Sequence, residues 1–147
     1  MLAGEAKALH TTKRSSGVDV SNPALADAWA RIRQDSDPQT DWCAFHHAQG
    51  SNQVIALLGC GTGGRTEMCA ALNDSTVAFC ALRLGSRGDQ KAPRFCRIML
   101  VGADVGGMKK GRAALQKNAV FAIFEGASAE DYVFNSLSEL AEAPALG

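Results

Sequence analysis

The glycine-rich residues 59–66, Gly-Cys-Gly-Thr-Gly-Gly-Arg-Thr, have the composition of a phosphate-binding loop. They match the pattern G-x-G-x-x-G, follow an apolar run that we predict as a strand, and precede a predicted helix. This is the context in which such a loop binds a nucleotide. The motif therefore suggests one function for the chain, that of a small nucleotide-binding protein.

Three features of the surrounding sequence argue against a nucleotide site. The preceding strand is predicted to be the second arm of a hairpin, whereas nucleotide loops lie in parallel strand-helix-strand units. Arg65 stands where a phosphate loop has lysine, and a planar guanidinium does not simply replace an ammonium group. The next predicted strand is followed by Gly85 and Ser86 rather than by an acid that could hold a ribose. We interpret residues 59–64 as a flexible connection and expect no cofactor.

Cys43, His46 and His47 are the residues whose types would suit a metal site. Neighbouring strand residues point to opposite faces, so both histidines cannot reach one metal without a bulge, and no nearby acid completes a ligand set. The five cysteines lie in apolar runs without a C-x-x-C pair, which favours buried free thiols of low reactivity in a reducing cytosol. We predict neither a metal site nor catalytic residues, and hence no enzyme.

Positive charge is concentrated in one part of a neutral chain. The formal net charge is zero and the pI is about 6.8. Residues 83–112 contain eight Lys or Arg and two acids, whereas residues 125–147 contain five acids and no Lys or Arg. This asymmetry favours contact with an acidic partner at one face. Overall neutrality argues against a nucleic-acid-binding domain.

The hydrophobic pattern predicts one domain of class α/β (α+β), with a mixed sheet of about five strands flanked by helices on both faces. Strands are predicted at residues 42–48, 53–58, 75–84, 94–101 and 132–134. Helices are predicted to begin at Asn22-Pro23 and to cover residues 65–72, 107–124 and 136–143. Residues 75–84, apolar on both sides, should be central in the sheet. Residues 1–17 and 144–147 are expected to form tails, the N-terminal one flexible, around a domain at 18–143.

Residues 91–113 resemble the coactosins of the actin-depolymerising-factor homology family. The likeness lies in a basic residue before Phe95, an apolar strand, Gly102 with a following acid, and a long residue with a basic pair that opens a long helix. It extends more loosely over residues 18–140, and the predicted order of strands and helices is that of the family. The resemblance therefore implies a fold of the actin-depolymerising-factor homology type.

The same resemblance implies a non-catalytic protein that binds actin, as filaments in preference to monomers. Such a protein would decorate and stabilise filaments and regulate their dynamics in the cytoplasmic actin cytoskeleton. The family's actin-contacting positions correspond here to Arg94, Met108, Lys109, Lys110 and Arg112, and Lys91, close to Arg94, is included in the predicted site. We expect these residues to form one continuous cationic patch around an exposed Met108. A monomer is expected, with neither nucleic acid nor membrane as partner.

Overall fold

The computed structural model describes residues 17–85, 93–126 and 130–146. The helices of these segments are α1 (Pro23–Arg33), α2 (Gly64–Ala70), α3 (Gly107–Phe121) and α4 (Leu137–Glu142), followed by a short 3-10 helix, Pro144–Leu146. The strands are β1 (Trp42–His47), β2 (Ile55–Gly61), β3 (Val77–Leu84), β4 (Arg94–Val101) and β5 (Asp131–Phe134). None of these helices combines the length and hydrophobicity that crossing a bilayer requires.

The strands form one sheet in the order β2-β1-β3-β4-β5. All neighbours are antiparallel except β4 and β5, which are parallel. The predicted mixed five-stranded sheet, the β1–β2 hairpin and the central position of β3 are thus confirmed. The first six residues of β3 are buried, as expected for a strand covered on both faces.

Each face of the sheet carries its own hydrophobic core, because successive residues of a strand point to opposite sides. Helices α1 and α3 cover one face, where the buried residues include Trp29, Phe45, Phe79, Phe95, Val120 and Phe124. Helices α2 and α4 cover the other, where they include Trp42, Met68, Leu82, Ile98, Leu100 and Leu140. Leu146 joins this second core, so the chain remains packed beyond α4.

Helix α1 begins as its sequence predicts and contacts the end of α3. The Asn22 side chain accepts a hydrogen bond from Ala24 N at 3.0 Å, and Pro23 occupies the first helical position, where its missing N–H is not needed. Trp29 Nε1 donates to the carbonyl of Glu125 at 3.0 Å. Its ring packs edge-on against Phe124 at 5.4 Å. One buried side chain therefore joins the two helices of this face.

The loop between β4 and α3 is held against the start of β3 by Asp74. Oδ1 of Asp74 accepts hydrogen bonds from Ala103 N at 3.0 Å and from Leu137 N at 2.8 Å, and these bonds lower the pKa of the carboxyl. A Cβ on Gly102 would lie 2.2 Å from the Asp74 carbonyl oxygen. Close backbone contact, not a turn conformation, is what requires glycine at position 102.

Two glycine substitutions should have opposite effects on stability. Gly102→Ala should lower the free energy of unfolding by roughly 1–3 kcal/mol, because the new methyl group overlaps backbone atoms that cannot move aside. Gly111→Ala should raise it by about 0.5–1 kcal/mol, because alanine favours the helix and no atom lies within 4 Å of its Cβ position. Urea unfolding of both variants measures the difference, and a stability loss at position 111 would contradict this assignment.

The hydrogen bonds of Asp74 should make stability depend on pH. Since its folded-state pKa is lowered from 3.8, its contribution is complete above that value and is lost as pH falls through the folded pKa. The stability difference between the wild type and Asp74→Ala should therefore be constant near neutral pH and shrink below pH 3.8. Urea unfolding at several pH values measures it. Asp104→Ala, which removes an exposed acid from the same loop, serves as control and should show a smaller difference at every pH.

Candidate functional site

The first three residues of the glycine-rich segment belong to a strand. In β2, Gly59 and Gly61 are paired with Ala44 and Trp42 of β1 in the antiparallel hairpin. The interpretation of residues 59–64 as a flexible connection is therefore wrong for its first three residues. Glycine weakens the pattern that marks a strand, which is why the sequence placed the end of β2 too early.

Carboxylates occupy the backbone donors that a phosphate would need. Gly63 N donates to Glu67 Oε1 at 3.1 Å, and Gly64 N donates to Asp41 Oδ1 at 2.9 Å. Two acids at the start of α2 would repel a phosphate and already satisfy these N–H groups. Burial raises the pKa of Asp41, although the bond from Gly64 opposes this effect. The alternative function of nucleotide binding is not supported.

The glycines of this segment make room for Glu67. Trp42 Nε1 donates to Glu67 Oε1 at 2.7 Å, and this bond is the main cause of the lowered pKa of that carboxyl. A Cβ on Gly61 would lie 1.8 Å from the same oxygen and 2.7 Å from Trp42 Nε1. The pattern that resembled a nucleotide motif thus has a packing explanation.

His47 participates in packing and hydrogen bonding on the face covered by α3. Its Nε2 donates to Gln116 Oε1 at 2.7 Å, and its ring packs edge-on against Phe79 at 6.2 Å. Burial, and to a smaller extent the neighbouring His47, lower the pKa of His46. Within residues 17–85, 93–126 and 130–146, no group of three or more metal-binding side chains comes together.

The opening turns of α3 present uncompensated positive charge. Lys110 and Arg112 are exposed and Lys109 is half-buried, while Met108 is 84% exposed. In the described part of the chain, no acid lies within ion-pair distance of these three cations. Gly106 provides no side-chain cap, and the first turn contains no acid. Cations at this helix end oppose the dipole, so local stability does not explain them.

Leu115 extends this surface and was not recognised from the sequence. It is 77% exposed, whereas an apolar residue of the predicted helix at 107–124 would by default be expected to face the core. Gly111, Arg112 and Leu115 lie three, four and seven residues after Met108, so the four residues share one side of α3. The opposite side contains buried Ala113, Gln116, Val120 and Phe121. Lys109 and Lys110 belong to the same opening turn but lie about 100° and 200° around the helix from Met108. We call these six residues the α3 surface.

Arg94 lies apart from the α3 surface. It is the first residue of β4, whereas α3 follows the last, and the strand between them spans about 23 Å. Its side chain shares a face with those of Cys96 and Ile98, which pack toward α2 and α4. Arg94 Nη2 lies 3.4 Å from Glu130 Oε1 in an exposed ion pair. The prediction of one continuous patch is therefore wrong, because strand length and alternation separate its parts. Lys91 lies outside the described residues.

Two other arginines of the basic segment are structural. The Arg83 side chain is only 11% exposed and pairs with Asp35 at 2.6 Å. Arg97 forms a bidentate pair with Asp131, at 2.6 Å through Nε and 3.0 Å through Nη2, and its guanidinium lies over the Phe121 ring. These charges stabilise contacts within the chain. Much of the positive excess counted along the sequence is therefore neutralised by partners distant in sequence.

Comparison with known proteins agrees with this architecture. The family described as cofilin/tropomyosin-type actin-binding protein matches residues 17–146. The chain belongs to this family. Drebrin-like proteins of Mus musculus and Rattus norvegicus are each 32% identical over 109 residues, which cover 73% of the chain and 24% of the relative. The chain thus spans about a quarter of the length of these curated relatives.

Solved structures of coactosins share the fold. The human coactosin-like protein superposes with a TM-score of 0.71 at 20% identity, covering 85% of this chain and 92% of that one. Coactosin from Entamoeba histolytica gives 0.68 at 21% identity, covering 82% and 86%. Mouse coactosin, described as an actin filament binding protein, gives 0.66 at 18% identity and covers 84% of each chain. The resemblance to coactosins and the expected fold type are confirmed.

Proposed function

We propose that this chain binds actin filaments through the α3 surface, without catalysis, and that it decorates and stabilises them in the cytoplasm. Membership of an actin-binding family supports actin as the partner. The observation that carries the choice of site is the exposed Met108 and Leu115 beside three cations that no described acid neutralises.

The α3 surface combines the two contributions that a tight contact with an acidic protein needs. Lys109, Lys110 and Arg112 attract a negatively charged partner and orient its approach. Met108 and Leu115 offer apolar area, and an unbranched methionine adapts to the shape of a cleft. Actin is acidic, so the three cations suit it as a partner.

Gly111 lies in the middle of this surface and supports its use in binding. Glycine lowers helix stability, and the space around its Cβ position is empty, so packing within the chain does not require it. A missing side chain between Met108 and Leu115 lets the backbone of a partner approach α3 closely. A position that weakens the helix without an internal reason is typical of functional surfaces.

Arg94 provides a second contact on a different side of the molecule. It lies too far from Met108 for one small partner site to include both, but a filament offers neighbouring subunits. Simultaneous contact with two subunits favours filaments over monomers, because the second contact is made at high effective concentration. The exposed pair of Arg94 with Glu130 is weak, so the guanidinium can exchange its partner. A monomer suffices for this binding mode. Lys91, three residues before Arg94 in the sequence, belongs to the same proposed contact.

Removal of two cations from the α3 surface should weaken filament binding. Lys109→Ala with Lys110→Ala should change the free energy of unfolding by no more than about 0.5 kcal/mol, because the two ammonium groups make no ion pair with a described acid. Co-sedimentation with actin filaments at low and moderate salt should show reduced affinity, most clearly at low salt.

The control for this experiment removes the same number of charges from another helix. Arg31→Ala with Arg33→Ala changes two exposed cations of α1 and should preserve pelleting. Equal losses from the two pairs would indicate a general charge effect, and unchanged pelleting of the α3 variant would refute the site. If the wild type fails to pellet, the proposed function itself is wrong.

Arg94→Ala should also weaken co-sedimentation, since it removes the contact with a second subunit. The matched variant is Glu130→Ala, which removes the acid paired with Arg94 but keeps the guanidinium. This variant should bind at least as tightly as the wild type, because the arginine is released for actin. Weakening by both variants to the same extent would show that the ion pair, and not a contact of Arg94 with the filament, matters.

A further inference from the structure

Two cysteines face each other across the β1–β2 hairpin. Cys43 of β1 and Cys60 of β2 are direct partners in the antiparallel register. Both side chains lie on the face covered by α1 and α3, where Cys43 is part of the core and Cys60 packs against it. Directly opposite strand residues have Cβ atoms about 4.5–5.5 Å apart. A disulfide needs about 3.5–4.5 Å, so a small adjustment brings the two sulfur atoms into bonding distance.

The two thiols differ in access and in environment. Cys43 is fully buried, and burial raises the pKa of its thiol to about 12. Cys60 is half-buried near the open edge of the sheet, and Arg31 Nη1 lies 3.3 Å from its Sγ. A reagent from solution therefore reacts with Cys60 first, whereas Cys43 reacts only with the oxidised sulfur of Cys60.

We propose that Cys43 and Cys60 are a modification site at which a hydroperoxide closes a disulfide across the hairpin. The Cys60 sulfur, as thiolate, attacks one peroxide oxygen; the O–O bond breaks, and the departing hydroxide or alkoxide takes up a proton. The resulting sulfenic acid is attacked by the Cys43 sulfur, which loses its proton as the S–S bond forms and water leaves. The two thiols are oxidised by two electrons, and the peroxide is reduced to water, or to water and an alcohol.

The position of the bond determines its structural effect. Strand β2 is an edge strand and is paired only with β1 over Cys60, so no second strand supports it there. A covalent link between the strands closes the intervening turn and restricts the unfolded chain. The sequence predicted that all five thiols are buried and unreactive. Cys60 differs from Cys80, because it is half-buried and faces a second cysteine, whereas Cys80 is fully buried on the opposite face of the sheet.

Trypsin provides an internal comparison for the test. Residues 34–65 form one tryptic peptide that contains only Cys43 and Cys60, and residues 66–83 form the next, which contains only Cys69 and Cys80. The full-length reduced protein is treated with hydrogen peroxide, alkylated after unfolding, digested and weighed. The first peptide should lose the mass of two hydrogen atoms and take up no alkyl group. This oxidation should be on the order of ten-fold faster than oxidation of the cysteines in the second peptide.

Two variants identify the reacting atoms. Cys60→Ser should leave Cys43 reduced and fully alkylated, and Cys43→Ala should leave Cys60 oxidised as sulfenic acid, which a dimedone probe captures. Equal oxidation of the two peptides would overturn the proposal, as would oxygen addition at Cys60 without loss of the Cys43 thiol in the wild type. Retention of both thiols in the first peptide, while a peroxide-sensitive control protein is oxidised, would overturn it as well.

Discussion

The orientation of α3 depends on one buried polar side chain. Gln116 is 1% exposed, accepts a hydrogen bond from His47 at the end of β1, and donates one to the carbonyl of Asn52 in the hairpin turn at 2.9 Å. A buried amide without partners costs about 1–3 kcal/mol, so α3 is stable only in the rotation that keeps both bonds. A shift by one residue would turn the helix by about 100° and bring a different set of side chains outward. The position of Met108 and Leu115 at the surface therefore follows from a contact on the far side of the helix.

The two ends of α3 are fixed by separate contacts, so its outer side is not needed to hold the helix in place. Asp74 holds the preceding loop through Ala103 N, and Trp29 holds the following turn through the Glu125 carbonyl. With its start, middle and end secured, the helix tolerates a glycine and uncompensated cations at its opening. These residues contradict local helix preferences, and such contradictions concentrate where a surface serves binding.

The sequence predicted well what local patterns determine. The cap of α1, the hairpin and the central position of β3 all follow from nearby residues, whereas the exposure of Met108 was expected from the family resemblance. It failed where distant residues decide: the end of β2 at Gly61 depends on Glu67 and Trp42, and the charge of Arg83 is neutralised by an acid 48 positions away. Alternation along β4 places Arg94 on the face of Cys96 and Ile98, but residue order could not show that α3 covers the other face. Four of the six predicted site residues therefore lie together at the start of α3, and the other described residue, Arg94, lies elsewhere.

The distribution of acids explains how a neutral protein exposes a cationic surface. Asp131 of β5 pairs with Arg97, and Glu130 beside it pairs with Arg94, because β5 lies parallel to β4 at the edge of the sheet. These two acids thus neutralise arginines of β4 and not the cations at the start of α3. Helix α3 starts at the opposite end of β4, beyond the reach of these acids. Sheet topology, not total charge, therefore decides which cations remain available to a partner, and it selects those of the α3 surface.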